Sequence, residues 1–169
     1  FLHANPIHLC SNVVMIFFLT LMLGTAQSKQ QWRIMILYTL SILHGTFGIG
    51  WEKRIYDLHK RFIALGASGS SYGLLGMNCA DVAINWRSMT NIERYSRLFI
   101  VSFLIIAEII AWYYVYFGTA SVSGHVGGFI GGLIGGPALL VKSDSLHSSL
   151  FQTIIKVSSG ILYTLYTIS

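Results

Sequence analysis

Long apolar runs separated by short polar connectors dominate this chain, and each run predicts a helix near the bilayer-spanning length of about 20 residues. Six such runs lie at residues 8–24, 33–50, 66–86, 98–117, 124–141 and 149–168. Four tryptophans fall at or near the ends of these runs, where interfacial aromatic side chains anchor membrane helices: Trp32, Trp51, Trp86 and Trp112. The pattern predicts an all-α, polytopic transmembrane helical bundle that forms a single domain over residues 1–169.

Composition supports a membrane protein. The chain is 54% hydrophobic and only 10% charged, whereas a soluble domain carries about a quarter charged residues. The net charge of +5 resides in the connectors, where it predicts topology signals and lipid head-group contacts rather than a nucleic-acid partner. Cys10 and Cys79 lie inside apolar runs, so we predict no disulfide, no metal site and no cofactor.

An alternating path through the bilayer places the starts of the first, third and fifth helices on one side. The connectors on the opposite side carry six basic residues, namely Lys29, Arg33, Arg87, Arg94, Arg97 and Lys142. The connector on the same side as the starts carries four, namely Lys53, Arg54, Lys60 and Arg61. The positive-inside rule therefore predicts that the three helix starts lie on the non-cytoplasmic side.

Polar and aromatic side chains mark those three helix starts. His8 and Asn12 open the first helix, Ser68 and Tyr72 open the third, and His125 opens the fifth. All five are thus predicted to lie at a similar shallow depth, where they can converge.

The serine lies in the sequence Gly66-Ala67-Ser68-Gly69. Backbone N–H groups in the first turn of a helix have no intrahelical partner, so this turn can donate hydrogen bonds to a developing oxyanion. A purely structural interpretation is also open, since Gly and Ser are common where membrane helices pack closely.

The histidine heads a glycine-rich helix, and glycines recur four residues apart from Gly124 onward. This spacing predicts an unusually close helix crossing, yet an imidazole is expensive to bring into a membrane without a function. His8 and Asn12, one turn apart on a helix face, can both donate hydrogen bonds to a negative charge. Hydrogen bonding between helices is the alternative role for that pair.

The ordered set His3, His8-x-x-x-Asn12, Gly66-Ala67-Ser68-Gly69, Tyr72 and Gly124-His125 resembles the signature of rhomboid intramembrane serine proteases, over roughly residues 1–141. The resemblance implies a helical bundle with a water-filled cavity that opens to the non-cytoplasmic face. It implies Ser68 as nucleophile and His125 as general base and then acid. It further implies an oxyanion hole formed by His8, Asn12 and the Ser68 amide, Tyr72 stacked on His125, and His3 in the polar network near the active-site water.

The resemblance also carries expectations about chain organisation and partners. In that family the His-x-x-x-Asn helix is the second of the core, so we expect the first core helix and most of the following loop to be absent here. The additional span after the histidine helix resembles the six-plus-one arrangement of secretory-pathway rhomboids. Single-span membrane proteins are the implied substrates, in the bilayer of the secretory pathway or plasma membrane.

Two functions from other classes stay open. A catalytically inactive relative would bind membrane clients and regulate their trafficking, and a small transporter or channel would also use glycine-rich helices and the intramembrane Glu108.

Asp81 lies 13 residues beyond Ser68, roughly 20 Å along a helix, so a dyad rather than a triad is predicted. Asp81, Asn78 and Asn85 are predicted to form an internal polar network or to lie near the cytoplasmic interface. No partner for Glu108 follows from the sequence.

Overall fold

The computed structural model describes residues 6–26, 31–55, 67–114, 122–139 and 150–168. Within these ranges the chain forms six α-helices, one short 3-10 helix and no strand. The α-helices are α1 (Pro6–Ala26), α2 (Gln31–Ile55), α3 (Ser68–Asn85), α4 (Asn91–Tyr114), α5 (Val122–Leu139) and α6 (Leu150–Ile168), with the 3-10 helix at Trp86–Ser88. The predicted all-α bundle is confirmed, and each predicted helix is present.

Helix α4 begins seven residues before the predicted span, because a capping box starts it. The Thr90 N–H donates to Glu93 Oε2 at 2.8 Å, and the Glu93 N–H donates to Thr90 Oγ1 at 3.3 Å. Two orphan donors of the first turn are satisfied reciprocally in this way. The same Thr90 hydrogen bonds lower the pKa of the exposed Glu93 carboxyl.

Glycines set the contact between α3 and α5, which run parallel to each other. A Cβ at Gly128 would overlap the Gly69 carbonyl, and a Cβ at Gly132 would overlap the Gly73 carbonyl. Helix α2 runs antiparallel to α3 beside them, so that Gly45 lies against Gly69. The four-residue glycine spacing therefore produces the close crossing predicted from it.

Helix α1 packs parallel to α3, and α4 packs antiparallel to it. Asn78 Nδ2 donates to the Leu19 carbonyl at 3.2 Å, which fixes the register of α1 on α3. Further along, Arg97 of α4 forms a buried ion pair with Asp81 of α3 and also donates to the Met22 carbonyl of α1 at 3.0 Å. Three helices are thereby tied together at the end of the bundle opposite Ser68.

This ion pair changes the charge count used for topology. Arg97 was expected in a connector, but it lies within α4 and is buried against Asp81. Without Arg97, the connectors opposite the helix starts carry five basic residues, against four in the connector on the same side as the starts. Asn85 Nδ2 also donates to Asp81 Oδ1 at 2.7 Å, so the predicted internal network around Asp81 is present.

Apolar side chains fill the bundle and also cover much of its outside. A buried core joins α1, α2, α3 and α4 through residues such as Leu19, Leu37, Met77 and Val101. Large apolar side chains on α1 and α4 remain exposed, including Phe17, Phe99 and Phe103. Within the described residues one helix, Trp32–Gly50, is long and apolar enough to cross a membrane, and His8–Gly24 and Thr153–Ile168 are shorter apolar stretches.

Candidate active site

Ser68 is the first residue of α3, at a helix start without a side-chain cap. Ala67 occupies the N-cap position with no side-chain hydrogen bond, and the first backbone bond runs from the Ser71 N–H to the Ala67 carbonyl at 3.0 Å. Ser70 and Ser71 are buried, and their hydroxyls donate to that same carbonyl at 2.7 and 3.0 Å. The N–H groups that precede Ser71 therefore have no partner within the helix.

The close α3–α5 crossing brings His125 against the turn that follows Ser68. The Tyr72 and His125 rings are stacked, with centroids 4.2 Å apart and planes inclined by 11°. Tyr72 lies one helical turn after Ser68, so its ring and the serine side chain project from the same side of α3. This stacking contact is the one that the family resemblance implied.

Helix α1 contributes His8 and Asn12 at the same end of the bundle. Asn78 donates a hydrogen bond to Leu19, a sequence separation of 59. Two parallel helices keep that offset over about two to three turns because both rise about 1.5 Å per residue. Asn12 is therefore level with Ser71, and His8 is level with Ala67. An electrostatic interaction between His8 and His125 agrees with this register.

Asn12 carries a buried donor without a partner. Its side chain is 5% exposed, and Nδ2 has no hydrogen-bond partner within the described residues. Buried amide groups are nearly always satisfied, so an unsatisfied one calls for a functional or solvent-based explanation. An N–H donor held ready at this depth is what a developing oxyanion requires.

The pairing of Glu108 with Tyr72 is a contact that sequence reasoning missed. The Tyr72 hydroxyl donates to Glu108 Oε2 at 3.0 Å, which joins α3 to α4 at the level of the His125 ring. A signal for this contact did exist, since a buried tyrosine hydroxyl needs an acceptor and a mid-span acid needs a polar partner. The sequence separation of 36 residues left that pairing undetermined.

The remaining predicted residues divide into two groups. His3 and Gly66 lie outside the described residues. Gly69 lies at the α3–α5 crossing, where its backbone contacts Gly45 and Gly128. Asp81 is engaged by Arg97 and Asn85, away from His125, and within the described ranges no group of three or more His, Cys, Asp or Glu residues could hold a metal ion.

These positions assemble the parts needed for acyl transfer at one end of the bundle. A hydroxyl lies at an uncapped helix start, an imidazole lies one turn away on a stacked tyrosine, and an unsatisfied amide donor is present at the same level. Mutual placement of nucleophile, base and N–H donors is the geometric criterion for such a site.

A comparison with known protein families gives a match to this chain. A family profile described as a rhomboid domain matches residues 1–142, which include α1 to α5. Helix α6 lies beyond the match. Neither the curated proteins nor the solved structures give a match.

Proposed function

Because this chain belongs to the rhomboid family, we propose that it is an intramembrane serine endopeptidase that cleaves transmembrane proteins with a Ser68–His125 dyad. Members of the family are integral to membranes and are generally intramembrane serine proteases, although inactive members exist. The observation that carries the proposal is the stack of Tyr72 on His125, one turn from a serine at an uncapped helix start.

The reaction begins with attack of Ser68 Oγ on the carbonyl carbon of the scissile peptide bond. The hydroxyl proton passes to the imidazole of His125, and the carbonyl π electrons move onto oxygen to give a tetrahedral oxyanion. Collapse of this intermediate breaks the C–N bond, while the imidazolium returns the proton to the leaving amine. Water then attacks the acyl-enzyme with His125 as base, which releases the acid product and regenerates Ser68.

The oxyanion is stabilised by N–H donors that converge on the start of α3. The Ser68 amide belongs to the first helical turn, where backbone N–H groups lack partners. The unsatisfied Nδ2 of Asn12 and the imidazole of His8 supply side-chain donors at the same depth. Preorganised donors of this kind are usually the largest single contribution to acyl-transfer catalysis.

Tyr72 takes over the orienting role that a carboxylate has in a triad. Asp81 is committed to Arg97 and Asn85 at the far end of α3, about 13 Å from Tyr72 along the helix. A ring stacked at 4.2 Å on the imidazole restricts its rotation and leaves both ring nitrogens accessible.

We further propose that α1 to α6 all cross the bilayer, with the site end on the non-cytoplasmic side of a secretory-pathway or plasma membrane. The six helices contain 18 to 25 residues, which lies within the range of about 17–25 residues found for helices that span a bilayer. Impermeant maleimide labelling of single-cysteine variants tests this orientation. With the protein at the plasma membrane of sealed cells, Val122→Cys, at the site end, should react, and Asn91→Cys, at the opposite end, should react only after permeabilisation. In sealed vesicles of the secretory pathway, whose lumen is the non-cytoplasmic side, the two results should be exchanged.

The site's location within the bundle supports the substrate class that the family resemblance implies. A peptide bond reaches Ser68 only when its segment enters the membrane domain, so single-span membrane proteins are the proposed substrates. A helical segment exposes a scissile carbonyl only after it unwinds, because its backbone groups are otherwise paired within the helix.

A covalent serine probe tests the enzymatic proposal directly. Wild-type protein, purified in detergent, should form a fluorophosphonate or isocoumarin adduct detected by intact mass, and Ser68→Ala should form none. An equal adduct on Ser68→Ala would remove Ser68 as nucleophile. Absence of an adduct on folded wild-type protein would favour the inactive relative that binds membrane clients, and co-purifying membrane partners would then identify those clients.

A further inference from the structure

The Glu108 carboxylate is linked to His125 indirectly, through the Tyr72 side chain that stacks on the imidazole. The Tyr72 hydroxyl donates to Glu108 Oε2 at 3.0 Å, while the opposite part of the same side chain lies on the His125 ring. Glu108 belongs to α4, Tyr72 to α3 and His125 to α5. Three helices are thus linked through one aromatic side chain.

Two polar contacts join α3 and α4 within the described residues, and they lie at opposite ends of the pair. Arg97 and Asp81 form the one distant from the site, and Glu108 and Tyr72 form the one beside it. Between them α4 exposes much of its surface, including Phe99, Phe103 and Ile106. Apolar side chains on the other face of α4, such as Val101, pack on the core. At the level of His125 the Glu108 hydrogen bond adds a polar tie between α4 and the Tyr72 hydroxyl.

The imidazole depends on the tyrosine for its orientation more than it would in a triad. A stacked ring restrains the tilt of the imidazole plane, but only while the tyrosine itself keeps its rotamer. One chain neighbour of each ring is a glycine, Gly73 beside Tyr72 and Gly124 beside His125, and has no side chain to pack against the stack. The hydrogen bond from the Tyr72 hydroxyl to Glu108 restrains the rotamer of the tyrosine instead.

We propose that Glu108 is a positioning residue, which holds the Tyr72 ring against His125 and thereby keeps the imidazole oriented toward Ser68. The kinetic part of this inference rests on the proposed proteolytic function, whereas the structural part does not. In a triad the carboxylate binds the histidine directly. Here the carboxylate acts on the histidine from a distance through the tyrosine ring.

Substrate kinetics with a set of full-length variants tests the kinetic part. Glu108→Ala and Tyr72→Phe should each lower kcat about five- to tenfold, the rate equivalent of one hydrogen bond, with KM unchanged. Glu108→Gln retains a carbonyl acceptor and should stay within about threefold of wild type. The double variant Tyr72→Phe/Glu108→Ala should be no slower than either single variant, because both remove the same contact.

A control separates positioning from general loosening of α4. Val101 is a buried apolar residue of the same helix, and Val101→Ala should lower thermal stability while kcat stays at the wild-type value. Additive losses in the double variant, or a Glu108→Gln variant as slow as Glu108→Ala, would overturn the inference while leaving proteolysis in place.

A nuclear magnetic resonance measurement tests the structural part without any catalysis. In protein with labelled histidine, the His125 ring protons should be displaced by the ring current of Tyr72 and should move toward ordinary values in Glu108→Ala. The His125→Gln variant assigns the signal among the six histidines. An unchanged His125 signal in Glu108→Ala overturns the inference, whether or not the wild type reacts with a serine probe. A wild type that fails to react overturns the proposed function alone.

Discussion

Two histidines of this bundle stack on tyrosines, and only one of them belongs to the candidate site. His125 at the start of α5 lies on Tyr72 with centroids 4.2 Å apart and planes at 11°. His44 in α2 lies on Tyr166 of α6 at 4.9 Å and 30°, with its Nε2 3.3 Å from Thr167 Oγ1. Each imidazole therefore has an aromatic neighbour, and each lies in a region that also contains a hydroxyl side chain.

The two regions differ in which end of a helix carries the hydroxyl side chain. Ser68 begins α3, where unpaired N–H groups can stabilise an oxyanion. Thr167 is in the last turn of α6, where the unpaired backbone groups are carbonyls, and its hydroxyl donates to the Tyr163 carbonyl at 2.8 Å. Negative charge is favoured at the first position and opposed at the second. A histidine close to a hydroxyl is therefore not sufficient for acyl transfer.

The two imidazoles also differ in access. His44 is 1% exposed and is enclosed by Tyr163, Tyr166 and Gly131. His125 is partly exposed at the end of the bundle. The His44 cluster thus serves to dock α6, which lies beyond the matched family domain, onto α2 and α5.

The largest expected effect separates the two histidines directly. His125→Ala and Ser68→Ala should each abolish cleavage, a loss of several orders of magnitude, with the thermal unfolding midpoint close to wild type. His44→Leu should retain cleavage within about threefold, because it removes a buried imidazole whose Nδ1 has no partner in the described residues. Cleavage of a fluorogenic transmembrane substrate is measured for all three variants. Loss of cleavage in folded His44→Leu would show that His44, like His125, is needed for activity.

The next effect concerns the oxyanion donors. His8→Ala and Asn12→Ala should each reduce kcat by about 10²–10³, since one donor is removed. Asn78→Ala is the matched control, because Asn78 is buried in the same helix pair but donates to the Leu19 and Leu74 carbonyls. It should lower thermal stability and leave kcat within about threefold. Unchanged kcat in both His8→Ala and Asn12→Ala would exclude them from the oxyanion hole.

A smaller effect comes from glycines on the two faces of α5. Gly128→Ala would place a methyl group on the Gly69 backbone carbonyl and should cost about 1–3 kcal/mol in stability, together with most of the activity. Gly131→Ala meets the enclosed His44 side chain instead, so it should also cost stability but spare cleavage, because His44 lies outside the candidate site.

Gly160→Ala is the control for these glycine substitutions, since no described atom lies within 4 Å of its Cβ position. Its unfolding midpoint should equal or exceed that of wild type, because alanine is the better helix former. Equal activity losses in Gly128→Ala and Gly131→Ala would show that both faces of α5 support the site.

The smallest effect is expected at Thr167. Thr167→Val removes the hydroxyl near His44 with little change of shape, and should cost about 0.6 kcal/mol, the average for a hydrogen bond between membrane helices. Cleavage should be unchanged. A loss of cleavage beyond about threefold would mean that docking of α6 influences the site, which thermal and kinetic measurements on the same preparation would show.

The amino-acid sequence by itself determined the helices and the end of the bundle where the site lies. Apolar runs of bilayer length specify helices locally, and their alternation brings the starts of α1, α3 and α5 together. The glycine spacing from Gly124 onward predicted a close helix crossing, since only glycine leaves room for a neighbouring backbone, and the structure shows that α3 is the helix that approaches. Even the early start of α4 was encoded locally, in the Thr90–Glu93 capping box.

Only the tertiary structure decided which polar side chains within the helices meet. Glu108 contacts Tyr72 at a sequence separation of 36 residues, and His44 contacts Thr167 at a separation of 123. Arg97, counted from the sequence as a connector charge, is buried against Asp81. The rotation of each helix about its axis is set by packing with its neighbours, so a sequence shows that a span contains a polar residue but does not show which partner that residue faces.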